Sequence, residues 1–232
     1  MGNRTSFGVS ARRLALLLGM AVAWLMAAVL APAAHAQGEG KRILLYTGTT
    51  GFRHTDAINN GRPIVQRELE ELGFTVDWED CNGNGGGTNN CDHPNKNPRI
   101  FTTSNLERYD AILLLNASAG PPGPLWDDAQ KAAIISYLQN SGGIAAVHNA
   151  TDMGTSQVTW DWWDGNSPNS VVGATMRGHA ATNINNVATV QVEDHHHLAT
   201  RDLPDTYGLG DEHYNFARNV RGSHHVLANL DE

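Results

Sequence analysis

The sequence predicts an α/β domain built on a mostly parallel sheet, and two observations carry that expectation. Three short apolar runs, at 43–46, 111–115 and 144–147, are bounded by turn residues, the pattern of strands buried on both faces. Between them the apolar period changes to that of helices, and strands alternating with helices mark parallel βαβ units. The first run leads into the Gly/Thr-rich loop 47–51, at a strand's carboxyl end, where open α/β sheets bind ligands.

The elements follow in order. Residues 63–72 have helical spacing, with Ile64, Val65, Leu69 and Leu72 on the inward face and Gly73 as the stop. Residues 74–78 form a second strand. The glycine-rich stretch between Cys81 and Cys91, with the Pro/Asn-rich 92–98, reads as a surface insertion. A helical turn at 105–108 precedes the strand at 111–116, and Pro121, Pro122 and Pro124 then break the chain. Residues 126–139 are the clearest helix, with the apolar stripe Trp126, Ala129, Ala133, Ile134, Tyr137 and Leu138. Gly142 and Gly143 open the run 144–147, which stops at His148. Beyond Thr151 the pattern loosens: 171–176 reads as helical, 187–192 alternates as a strand, and 225–230 reads as another.

Residues 1–36 read as an export leader. Arg4, Arg12 and Arg13 make its basic start, 14–30 its apolar segment, and Ala34-His35-Ala36 a small-x-small cleavage site. A retained membrane anchor is the alternative. Residues 37–41 are then a linker and 42–232 one domain. The chain carries a net charge of −8, and loss of the leader, which has three arginines and no acid, makes it more acidic. That balance argues against nucleic acid and against anionic membrane surfaces, and leaves neutral small molecules or glycans as partners. In an exported protein, two cysteines closing a flexible loop are expected to pair as a disulfide, Cys81 with Cys91; a zinc site with His93 fits the spacing poorly.

His148 is the foremost candidate for chemistry. A histidine ending an apolar strand is costly to bury without a partner. It can act as base, acid or metal ligand, or be satisfied by a backbone carbonyl. No cysteine or serine stands beside it as a nucleophile. Asp152 can orient it or cap the next helix. His54, after the loop 47–53, is a candidate substrate contact, ligand or base, and Arg53 beside it a candidate substrate contact; Phe52 reads as a packing residue. Trp160 and Trp162 can stack on sugar rings or pack the loop that holds them. His195, His196 and His197 read as a solvated loop.

Four segments complete the pattern. They are Tyr46-Thr47-Gly48-Thr49-Thr50-Gly51-Phe52-Arg53-His54, residues 142–152, residues 173–179, and Asp211-Glu212-His213-Tyr214-Asn215-Phe216 with Val226-Leu227-Ala228. Together they resemble the ThuA-like (trehalose utilisation) family, a branch of the class I glutamine amidotransferase-like superfamily, from about Lys41 to Glu232. They look closest to exported ThuA-like domains that head multi-domain bacterial proteins with sugar-binding or sugar-oxidising modules. The resemblance implies a flavodoxin-like, doubly wound sheet, with the turn after 144–147 in the place of the superfamily's nucleophile elbow. An amidotransferase would place a cysteine there, and this chain has His148 nearby instead, so glutaminase activity, which needs a thiolate, is not expected. The family pattern continues beyond Glu232, which implies an incomplete C-terminus and further domains in a longer parent protein.

The resemblance also marks His179 as a second ligand or substrate contact and Glu212 as an acid facing the cleft. A carboxylate with His54, His148 and His179 can hold a divalent metal such as zinc with an open position. Alternatively His148, Glu212 and Asp152 act as acid and base beside a sugar hydroxyl. The expected function is action on a carbohydrate, trehalose or a related keto-sugar. The rival is a non-catalytic glycan-binding or accessory module.

Overall fold

The computed structural model describes residues 38–81, 100–120, 125–153, 160–167, 169–179 and 187–231. The leader, Cys91, the stretch 92–98 and Pro121, Pro122 and Pro124 lie outside the described residues. No helix among the described residues is long and apolar enough to cross a membrane.

Four strands form a parallel sheet: β1 (Arg42–Tyr46), β2 (Thr75–Glu79), β3 (Ala111–Leu115) and β4 (Gly143–Val147), in the order β2-β1-β3-β4. That is the flavodoxin-like order, and it places the reversal of winding between β1 and β3. The register runs Ile43 opposite Ala111 and Leu115 opposite Val147. Pairing continues past the strands: Thr49 bridges Ser118, and the Ser118 amide donates to the Gly48 carbonyl at 3.2 Å. The loops after β1 and β3 therefore lie side by side at the carboxyl edge. Gly51 permits this, because a Cβ there would lie 2.5 Å from the Ala119 carbonyl oxygen.

A π-helical turn (Ala57–Gly61) leads into α1 (Arg62–Glu71), and α2 (Thr103–Leu106), α3 (Asp128–Gln139) and α4 (Asp161–Asp164) follow. The expected inward face of α1 is not buried: no residue of the helix is, and Ile64 and Leu72 are about half exposed. Ile58 in the preceding turn is buried instead. In α3 the buried face is Gln130, Ala133, Ile134 and Tyr137. A polar residue takes an inward slot because Gln130 completes a capping box with Asp127, each bond being 2.9 Å. Ala129, expected inward, is exposed.

Leu44, Tyr46, Ile112, Leu114, Ile134 and Trp163 belong to one buried cluster. Cys81 joins it, its Sγ 3.3 Å from the Tyr46 hydroxyl.

The later half is antiparallel. β5 (Met176–His179) pairs with β8 (Tyr214–Phe216), with His179 opposite Tyr214. β6 (Val187–Val192) lies between β7 (Thr206–Gly210) and β9 (Ala228–Asp231). The segment 171–176 is not helical. Gly173 takes φ +86°, and the Val171 and Val172 amides donate to the Trp162 and Trp163 carbonyls, tying the segment back onto α4. The expected strand at 225–230 narrows to β9.

Candidate active site at the carboxyl edge of the sheet

His148 sits directly after β4, with φ +59° at the start of a single 3₁₀ turn (His148–Thr151). A left-handed conformation is unfavourable for a side chain with a Cβ, by about 1–3 kcal/mol. It turns the chain sharply, so that the imidazole leaves the strand end toward the crevice. Thr151 Oγ1 donates to the His148 carbonyl at 3.0 Å and holds the turn. A sharp turn thus stands at the position where the resemblance leads one to expect an elbow, with His148 opening it.

The histidine is held at one ring nitrogen and faces carboxylates with the other. Nδ1 lies 3.0 Å from the Tyr214 hydroxyl, and that hydroxyl lies 3.3 Å from Glu212 Oε2. Nε2 lies 3.5 Å from Asp211 Oδ1 and 3.8 Å from Glu212 Oε2. His54 meets it edge to face, with centroids 4.6 Å apart.

Glu212 is the point of convergence. Its Oε2 is 3.6 Å from His54 Nε2, 3.8 Å from His148 Nε2 and 3.9 Å from His179 Nε2. The carboxylate is 13% exposed. Burial, and secondarily the neighbouring His148, lower the pKa of His54 below the ordinary histidine value, so its neutral form, the one that binds metals, is favoured. Burial and then the Glu212 carboxylate push the Tyr214 phenol up. It stays a hydroxyl at neutral pH, able to bridge His148 and Glu212.

These residues suit a metal ion. Ligand atoms of His54, His148 and Glu212 lie within 4.8 Å of one another. Around a tetrahedral zinc with bonds of about 2.0–2.1 Å, donors are roughly 3.3 Å apart, so the carboxylate–imidazole separations need only a slight contraction. His179 Nε2 approaches the same carboxylate oxygen at 3.9 Å but stands outside this three-residue group.

Beside this cluster lies a cavity of about 210 Å³, whose wall includes Phe52, Ser118, Asn149, Asp152, Met176 and Tyr214. Burial, and then the nearby Asp164 charge, raise the Asp152 carboxyl to about 7.

The structure thus brings His54, His148, Asp152, His179 and Glu212 together from four segments, His148 and Asp152 sharing the turn after β4. It does not bring Arg53, Trp160 or Trp162 to the cavity. The Arg53 side chain is 9% exposed; its guanidinium pairs with Asp80 at 2.8 and 3.0 Å and donates to the Thr47 and Cys81 carbonyls. It anchors the loop that carries His54, and its guanidinium faces Asp80 rather than the cavity. Trp160 is buried, stacked at 5.7 Å on Trp163 and at 5.5 Å on Trp162, which packs against the core. Their rings line the interior instead of the cavity. His196 and His197 are exposed and His195 partly so, as expected of a loop.

Sequence reasoning missed Tyr214, Asn149 and Ser118, and it took Phe52 for a packing residue. One signal was present for Tyr214. Alternation puts residues 212 and 214 on one side and 213 on the other, and His213 is indeed buried, with Nε2 3.1 Å from the Leu209 carbonyl.

A family model described as trehalose utilisation (ThuA) matches residues 42–232. Among curated proteins there is no match. Among solved structures, the chain is similar to a ThuA-like protein from Bacteroides uniformis, at 19% identity with a TM-score of 0.63, over 86% of this chain and 71% of that one. At that identity the likeness is one of fold. With the family model spanning the whole parallel sheet and every residue of the histidine–carboxylate cluster, the chain belongs to the ThuA family.

Proposed function

We propose that this ThuA domain acts on a carbohydrate, trehalose or a related keto-sugar, through a divalent metal such as zinc held by His54, His148, His179 and Glu212. The observation that supports this most directly is the approach of three imidazole Nε2 atoms to one carboxylate oxygen, between 3.6 and 3.9 Å. A metal bound there would polarise a sugar carbonyl or hydroxyl, or activate a water molecule.

The chain's own residues account for the rest. Tyr214 fixes the orientation of His148, as an oxygen partner on the second ring nitrogen does for a ligand histidine. Asp152, its carboxyl raised to about 7 at the cavity wall, keeps a protonated fraction at neutrality that can give a proton to a sugar oxygen. Export through the leader 1–36, a disulfide between Cys81 and Cys91, and further domains in a parent protein belong to the same proposal.

The test is the zinc content of the purified domain, measured by mass spectrometry for wild type, His148→Ala and Glu212→Gln. Near-stoichiometric zinc in the wild type, and loss of most of it in both variants, which each lack one ligand, is the expected outcome. Wild type that takes up no divalent metal after incubation with zinc, manganese or iron(II) would overturn the metal assignment and leave histidine–carboxylate acid/base chemistry in its place. Sugar binding without turnover in metal-loaded protein would indicate the accessory module instead.

A further inference from the structure

We infer that Phe52 and Asn149 form the recognition end of the cavity, a subsite for one sugar ring in which Phe52 meets the ring's C–H face and Asn149 Oδ1 accepts a hydroxyl. This rests on the carbohydrate reading above and deepens it.

Phe52 is 69% exposed, the most exposed Phe, Tyr or Trp among the described residues. It is nonetheless not a loose loop tip. Its carbonyl accepts hydrogen bonds from Ser118 Oγ at 2.8 Å and Asn149 Nδ2 at 3.3 Å, which tie the β1 loop to the β3 and β4 loops. The ring stands edge to face with His54, centroids 4.8 Å apart, on the cavity wall. A fixed backbone that presents an uncovered aromatic ring beside a polar cluster buries little apolar area in folding. The same arrangement suits a ligand with one apolar face, and the axial C–H groups of a pyranose provide one.

Asn149 supplies the polar half. Its side chain is 5% exposed and lines the same cavity. Because Nδ2 is committed to the Phe52 carbonyl, the amide orientation is set and Oδ1 faces the other way. Oδ1 is buried and has no hydrogen-bond partner among the described residues. A buried acceptor left unmade is costly, and such groups are normally partnered. The missing partner is a donor; Oδ1 has under 1 Å² of open surface, so on binding the amide must turn toward the cavity for a sugar hydroxyl to donate to it. The carboxyls of Asp152 and Glu212 on the same wall extend the preference for a ligand rich in O–H groups. At about 210 Å³ the cavity falls below the roughly 300–1,000 Å³ that drug-sized ligands fill, so a disaccharide would place one ring inside and the other beyond Phe52.

Calorimetric titration of the full chain with methyl α-glucoside, trehalose and a set of monodeoxyglucoses tests the subsite. Phe52→Ala should weaken methyl glucoside binding by about tenfold, and Phe52→Trp should restore it. One deoxy sugar should lose about tenfold against the wild type and nothing against Asn149→Ala, the mark of a direct contact; Asn149→Asp, which keeps an acceptor oxygen, should recover the difference. Binding unchanged in Phe52→Ala, or deoxy sugars losing equally in wild type and Asn149→Ala, would overturn the subsite while leaving the carbohydrate reading standing. Wild type that takes up zinc but binds none of these sugars would instead remove the carbohydrate reading, and the subsite with it.

Discussion

In the parallel half, four of the five residues of β1 are buried, and Leu44, Leu45, Ile112 and Leu114 have no exposure at all. In the antiparallel half, all five residues of β7 are exposed, and Tyr207 and Leu209 stand more than a third open. The first half is ordered by a core, the second largely by ladders and short loop contacts. Yet the site draws on both. His54, His148 and Asp152 come from the carboxyl edge of the parallel sheet, while His179, Glu212 and Tyr214 come from the β5/β8 ribbon and the loop before it. The difference teaches that the well-packed half sets where His54 and His148 stand, and the lightly packed half brings the carboxylate, Tyr214 and the third imidazole to them.

Substitutions can break that contrast. Leu114→Ala, in the middle of β3, should cost about 2–5 kcal/mol in denaturant unfolding, the range for a leucine cavity that cannot collapse. Asp152 makes the stability depend on pH. Its folded pKa of about 7 lies above the ordinary 3.8, so the folded protein holds this proton more tightly than the unfolded chain does. The resulting stabilisation is complete below the ordinary value and is lost as pH rises toward 7. Melting temperature should therefore decline across that window, and Asp152→Asn should flatten the decline. Asp127→Ala removes half of the α3 capping box and should lower stability by about 1 kcal/mol. Leu209→Ala on β7 should stay within about 0.5 kcal/mol of the wild type. A loss at Leu209 comparable to that at Leu114 would mean that β7 is covered in solution and would erase the contrast between the halves.

Legibility from sequence follows the same division. Buried strands announce themselves as apolar runs, so β1 and β3 could be read directly; the run at 144–147 located β4 and His148 at its end, but the expected burial fails there, since no residue of β4 is buried and Val147 stands 41% exposed. β7, with the sequence Thr-Tyr-Gly-Leu-Gly, has no buried face and hence no period to read. Glu212 and His179 were accessible only through the family resemblance, because nothing local distinguishes an acid at a strand entry from a solvated one. Composition also cannot give the direction of a side chain. Arg53 and Phe52 are neighbours, and the expected roles were reversed: the charged residue turns inward to Asp80, and the apolar one faces out. Likewise the tryptophans of the Trp160–Trp163 segment fill the core, because a stacked indole cluster removes more apolar surface from water than an open loop could.

The left-handed backbone at His148 has a consequence for how this sequence drifts under selection. Glycine would occupy φ +59° without the steric penalty that any other residue carries there. A library varied at position 148 and sorted only for resistance to heat or protease should therefore enrich glycine, whereas one sorted for metal retention should keep histidine. The two selections pull the same codon in opposite directions, and the separation of their outcomes would measure how far this turn has been held away from its most stable form by what the imidazole does.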